Sequence, residues 1–173
     1  MKKKVVILSV LCIALLSCGF AQKCKYDYNK VDEFSGTSSK GITVKFTRWF
    51  YIGMNKNGAT FDLGASIILN GEYNQFVEKG DSLMLKLASG EVISLYSMDR
   101  YAPINQVVSA ANGTPYVVSR YDVKYAMTEE LLELLQSATV THVRMIAGGY
   151  VHDEEVSEKE AEKIRSAASC ILQ

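Results

Sequence analysis

The chain has 173 residues, close to one domain's worth. It is 48% apolar and 22% charged, the balance of a globular protein with a buried core, not of a disordered, collagen-like or polytopic membrane chain. Basic and acidic residues number 19 each, and Lys2, Lys3 and Lys4 fall in a leader that holds no acid, which leaves 16 basic against 19 acidic residues beyond it. A net charge of −3 excludes nucleic-acid binding of the usual kind, which needs clustered Lys and Arg to neutralise phosphates.

Residues 1–21 have the parts of a secretory signal peptide: the lysine triplet, an apolar run from Val5 to Leu16 too short to be a stop-transfer helix, and small residues after it. A single domain is expected over 22–173. Two processing sites compete. Gly19-Phe20-Ala21 offers small residues to signal peptidase, so that Gln22 comes first and the protein is soluble. Leu15-Leu16-Ser17-Cys18 resembles a bacterial lipobox, in which Cys18 takes the lipid and becomes the first residue. An anchor at Cys18 would be the chain's membrane attachment, worth about 0.8 kcal/mol per buried methylene. Cys12 and Cys18 lie in the leader, which leaves Cys24 and Cys170. In an oxidising compartment such a pair predicts a disulfide, with two separate buried thiols as the other reading.

From Tyr26 to Met127 the pattern has period two. Ile42, Val44 and Phe46 alternate with Thr43, Lys45 and Thr47, and Asn55-Lys56-Asn57-Gly58 supplies turn chemistry. Phe61, Leu63, Ala65, Ile67 and Leu69 form the cleanest strand face, with Asp62, Gly64 and Ser66 between them. Leu83, Leu85 and Leu87 follow, joined through a two-residue Ser89-Gly90 connection to Glu91–Ser97. Residues 99–114 read as a loop with room for one helical turn, and Tyr116–Met127 alternates again. At Thr128 the period changes. Thr128 is an N-cap followed by Glu129 and Glu130, and Leu131, Leu134, Leu135 and Ala138 mark one helix face. Thr139–Ala147 and Tyr150–Val156 are strands about a Gly148-Gly149 turn. Ser157 and Glu160 form a capping box, and Ala161, Ile164, Ala168 and Ile171 give a helical stripe. The expectation is α+β: a mostly antiparallel sheet of seven to nine strands, with two helices in the C-terminal third.

The chain has no GxSxG elbow, HExxH, Walker loop, GxGxxG or SxxK, and no cofactor motif. Asp81-Ser82-Leu83 matches a short O-glycosylation acceptor motif, which a β-turn explains equally well. The aromatics, Trp49 and ten tyrosines among them, read as sheet-face packing, with a carbohydrate platform as the alternative. The one local constellation is His152-Asp153-Glu154-Glu155. On a strand His152 and Glu154 share a face, as two metal ligands or an acid–base pair would, while a charged strand end before a helix is the plainer reading. A catalytic zinc needs a third ligand, and the only other histidine is His142, expected further along the paired strand.

Phe20-Ala21-Gln22, the stretch Phe76–Ser97, Val143-Arg144-Met145 and Cys170-Ile171-Leu172 carry a resemblance over nearly all of the mature chain. It resembles the small exported proteins of unknown function that gut-type Gram-negative bacteria carry. The resemblance implies a cell-envelope location, in the periplasm or on the surface, and supplies no activity or site residues. The expected function is a non-enzymatic binding or interaction module for an envelope protein or a glycan. The alternative is a metal-assisted periplasmic hydrolase using His152 and Glu154.

Overall fold

Alternation along the strands builds two antiparallel sheets that face one another across an apolar core. The computed structural model describes residues 24–173, so the signal peptide over 1–21, cleavage after Ala21 and acylation at Cys18 lie outside the described residues. The first sheet has the order β1-β2-β3-β4-β8-β7, formed by Tyr28–Val31, Ser38–Lys45, Phe50–Asn57, Thr60–Asn70, Pro115–Met127 and Ile104–Ser109 respectively. The second has the order β10-β9-β5-β6, formed by Tyr150–Glu155, Val140–Ala147, Ser82–Leu87 and Val92–Tyr96. Helices α1 (Glu129–Ser137) and α2 (Glu158–Leu172) pack on each other, and α2 also lies against β2 and β3. The fold is α+β with mostly antiparallel sheet, as the patterning predicts.

The long pair β4–β8 is the spine, in register from Phe61 opposite Met127 to Asn70 opposite Val118. Leu63, Ala65 and Ile67 on β4 and Tyr121, Val123 and Tyr125 on β8 are buried, while Asp122 and Lys124 are exposed. Leu83 and Leu85 of β5 and Val143 and Met145 of β9 meet them from the second sheet, and Leu132, Leu135, Ala161, Ile164, Ala168 and Ile171 close the core from the helices. The sheets are also stitched together. Beyond β6, Ser97 bridges to Tyr125, and Met98 N–H donates to the Lys124 carbonyl at 2.9 Å. One half of β8 therefore bonds to β7 and the other half to the tail of β6.

The ten strands among the described residues exceed the expected seven to nine. The strand that pattern missed is β7, inside the segment read as a loop: it lies at a sheet edge with almost every residue exposed, so no burial period marks it. The β5–β6 connection holds three residues, Ala88-Ser89-Gly90, because Leu87 N–H still donates to the Glu91 carbonyl at 2.8 Å. Gly90 takes φ 92°, as such a hairpin requires. On α1 the fully buried leucines are Leu132 and Leu135, with Leu131, Leu134 and Ala138 partly buried beside them. The run Leu131-Leu132-Glu133-Leu134-Leu135 is apolar on both rims, and packing against α2 selects the rim.

Both helix starts are as expected. Thr128 Oγ1 accepts from Leu131 N–H at 3.3 Å. Ser157 Oγ accepts from Glu160 N–H at 3.4 Å while the Glu160 carboxylate accepts from Ser157 N–H at 2.9 Å. Ser157→Ala removes one half of that exchange. It should lower stability by about 1 kcal/mol, seen as a fall of about 2–4 °C in the thermal midpoint for a domain of this size. An unmoved midpoint would show that the box contributes nothing. Among the described residues no helix is long and apolar enough to cross a membrane. Cys24 and Cys170 sit at disulfide distance, their Cα atoms 5.6 Å apart, so the chain's first described residue is tied to the last turn of α2.

Candidate functional site

Of the residues singled out in the sequence, His152 and Glu154 land on one groove, together with aromatics from three turns. In the β9–β10 hairpin His152 lies opposite Met145 and Glu154 opposite Val143, and both partners are fully buried. His152 and Glu154 therefore share the inner face of the edge strand β10. His152 Nε2–H donates to Glu154 Oε2 at 3.1 Å, with only about a fifth of either side chain exposed (22% and 19%). The His152 ring also meets the buried Phe50 ring edge-on, centroids 4.7 Å apart, and Phe50 stacks on Phe46 at 5.3 Å. The imidazole is thus fixed from two sides.

Opposite this pair stands the β2–β3 connection. Thr47 Oγ1 accepts from Trp49 N–H at 3.1 Å and from Phe50 N–H at 3.0 Å, a side-chain turn that holds Trp49 in place. The Trp49 carbonyl accepts from Ile68 N–H at 2.8 Å, and the Arg48 guanidinium lies 4.4 Å from the centre of the indole. At the other end Tyr150, the first residue after the Gly148-Gly149 turn, meets Tyr73 edge to face at 6.4 Å. Tyr73 belongs to a segment pinned by two buried hydroxyls of β8. Ser119 Oγ accepts from Tyr73 N–H at 2.8 Å, and Tyr121 Oη donates to the Gln75 carbonyl at 2.8 Å.

These walls enclose a groove of about 390 Å³, floored by Ile67, Ile68 and Leu69 and edged by Asn70. A second hollow of about 380 Å³, with Glu72, Asn74 and Gln75 on its rim, shares the Tyr73–Tyr150 pair with the first, and the two hollows on either side of that pair make up the trough. Among the described residues no Lys or Arg lines either part, and the Arg48 guanidinium is stacked on the Trp49 indole. The trough can therefore offer aromatic faces, two carboxylates (Glu72 and Glu154), one imidazole and side-chain amides.

The metal alternative does not gain its third ligand. His142 pairs with Glu155 across the hairpin and lies with Arg144 and Asp153 on the outer face of the sheet, the opposite side from His152. There Arg144 forms a two-pronged ion pair with Asp153, at 2.5 and 2.9 Å, which holds the Asp153 carboxyl below its ordinary range. Among the described residues no group of three or more His, Cys, Asp or Glu side chains could hold a metal ion. The Asp81-Ser82-Leu83 motif resolves into structure as well. Asp81 closes a turn with Glu78, Ser82 enters β5 and Leu83 is fully buried.

Sequence reasoning found His152 and Glu154 but left Trp49, Tyr73 and Tyr150 among the packing aromatics. The signal that marks them is position: each adjoins a turn (Thr47-Arg48, Asn70-Gly71, Gly148-Gly149) instead of sitting within a strand face. No protein family, curated protein or solved structure matches this chain.

Proposed function

We propose that this chain is a non-enzymatic binding module of the bacterial cell envelope that holds a neutral glycan in the trough between Trp49 and Tyr150. The observation that carries the reading is the lining itself: three aromatic side chains beside a hydrogen-bonded His152–Glu154 pair and flanking amides, with no lysine or arginine. Pyranose rings present an apolar C–H face that stacks on aromatic rings, and a rim of hydroxyls that carboxylate, imidazole and amide groups can bond. Phosphorylated or sulfated ligands would favour a lining with Lys or Arg, which the described trough residues do not supply. The volumes fall in the range of ordinary ligand sites, roughly 300–1,000 Å³, and their adjacency on the two sides of the Tyr73–Tyr150 pair suits a chain longer than one sugar. Export through the leader, with a soluble form or an anchor at Cys18, would bring the module to envelope polysaccharides.

The protein has one tryptophan, Trp49, so its emission reports on the trough directly. Titration with a panel of neutral oligosaccharides should give a saturable change in Trp49 fluorescence with at least one member. Tyr150, about 40% exposed, should lose little fold stability on replacement by alanine. Tyr150→Ala should nevertheless weaken binding by about tenfold, or 1.4 kcal/mol. A flat emission signal across the neutral panel, or saturation only by sulfated oligosaccharides, would overturn the reading.

A further inference from the structure

The four sheet edges of this protein are finished differently. The edge strand β10 carries His152, Asp153, Glu154 and Glu155. The edge strand β1 is four residues long and carries Lys30. The tail of β6 is taken up by β8 through Ser97. Among the described edge strands only β7 runs six residues, Ile-Asn-Gln-Val-Val-Ser, without a charge, and the Tyr73–Asn74 segment reaches it only through the Asn105 side chain. The want of charge reaches further: residues 101–119, 19 in succession, include no Asp, Glu, Lys, Arg or His in a chain that is 22% charged. Natural sheet edges are usually blunted by charge, proline or brevity because an unblunted edge is a template for another strand.

The ladder shows which groups await that strand. Ala110 N–H donates to the Thr114 carbonyl, and the register continues with Val108 opposite Tyr116 and Gln106 opposite Val118. Antiparallel alternation then turns the N–H and C=O of Asn105, Val107 and Ser109 away from β8. None of those three N–H groups donates elsewhere among the described residues.

We infer that β7 is the interface between two copies of this chain, paired antiparallel about a two-fold axis at Val107. In that register Val107 of each copy faces itself and Asn105 of one copy faces Ser109 of the other, so every outward N–H meets an outward carbonyl. Because β7 is uncharged throughout, pairing it with itself sets no like charges opposite one another across the axis. Val107, 73% exposed in the single chain, is covered by its own counterpart. The pairing closes on itself, leaves neither copy with an open β7, and joins the two six-stranded sheets into one.

Sedimentation of the purified, processed protein tests this. The wild type should self-associate to a dimer, and Val107→Lys should weaken association by at least about tenfold; at concentrations where both are monomeric their thermal midpoints should nearly coincide, because the Val107 side chain is mostly exposed in the single chain. Val107→Cys should cross-link into a covalent dimer under mild oxidation, since hydrogen-bonded antiparallel partners stand about 5.5 Å apart at Cα, within disulfide reach. Cysteine at exposed Val151, on another edge, should not cross-link. A monomer up to about 1 mM, or a dimer that survives Val107→Lys, would overturn the assignment. So would a monomer whose Val107 amide gains protection only in envelope extract, which would give the edge to a foreign strand.

Discussion

Cys24→Ala/Cys170→Ala should lower stability by about 2–5 kcal/mol, the upper figure being the chain-entropy value for a loop of this length. The bridge spans a sequence separation of 146 residues, so it restricts nearly the whole described chain in the unfolded state. The folded state keeps other ties at the same place: Tyr26 Oη donates to the Cys170 carbonyl at 2.9 Å, and Lys40 Nζ donates to the same oxygen at 3.3 Å. Lys40 also places its charge at the negative end of α2. Those contacts survive the double substitution, which argues for a loss short of the upper figure. Against a typical stability of roughly 5–15 kcal/mol, the thermal midpoint should fall by the order of 10 °C. The wild type under reductant should show the same fall. Both cysteines alkylating in unreduced, oxidatively refolded protein would remove the basis for the effect, and a midpoint indifferent to reductant would refute its size.

Wherever one face of an element is buried and the other is wet, the sequence makes the element legible. Leu63-Ala65-Ile67 and Leu83-Leu85 are buried as their alternation predicts, and Ser157 with Glu160 starts α2 where the capping pattern puts it. Strand parity is equally strict on β9: Thr141, Val143 and Met145 point inward and the His142 and Arg144 side chains outward. The reading fails where that contrast is missing. Strand β7 is wet on both faces and has no burial period to read; α1 forms where its cap and period predict, and with leucines on both rims only the most buried rim differs.

The trough escapes local reading for a different reason. Its parts come from positions 47–49, 67–73 and 150–154, and only the meeting of β10 with the ends of β3 and β4 brings them together. His152 and Glu154 were visible because they sit two apart on one strand. Their aromatic neighbours belong to other turns, and no spacing rule links Trp49 to Tyr150. Conversely, His142 and His152 look like a ligand pair when counted, yet parity sends them to opposite faces of the hairpin. Residue type proposes a site here, and strand direction decides it.

Gly148→Ala should cost roughly 3–5 kcal/mol, well beyond the loss of an ordinary turn glycine. The β9–β10 turn holds Gly148 at φ 55° and Gly149 at φ 78°, so a side chain at either position meets left-handed strain of about 1–2 kcal/mol. At Gly148 there is a second cost. A Cβ there would collide with Tyr121 Oη and stand 2.9 Å from the Gln75 carbonyl, the two atoms that hydrogen-bond to each other. Tyr121 is fully buried and cannot swing away, so the added methyl breaks that bond and leaves the buried Tyr121 hydroxyl without its acceptor. At Gly149 the obstacle is only the side-chain end of Gln75, which can move, so Gly149→Ala should cost the backbone strain alone. The comparison isolates the collision because both positions share one turn and nearly one conformation. Unfolding free energies of the two variants from denaturant titration should differ by about 2 kcal/mol or more, with a matching gap between their midpoints. Tyr121→Phe in the Gly148→Ala background should recover part of the difference, since it removes the atom struck and makes the two costs less than additive. The damage should also reach function: the Gln75 segment carries Tyr73, and Tyr150 follows the turn directly, so Trp49 titrations on Gly148→Ala should show weaker glycan binding even where the protein remains folded. Equal midpoints for the two alanine variants would show that Tyr121 and Gln75 yield without cost, and the rigid trough wall inferred from their bond would fall with them.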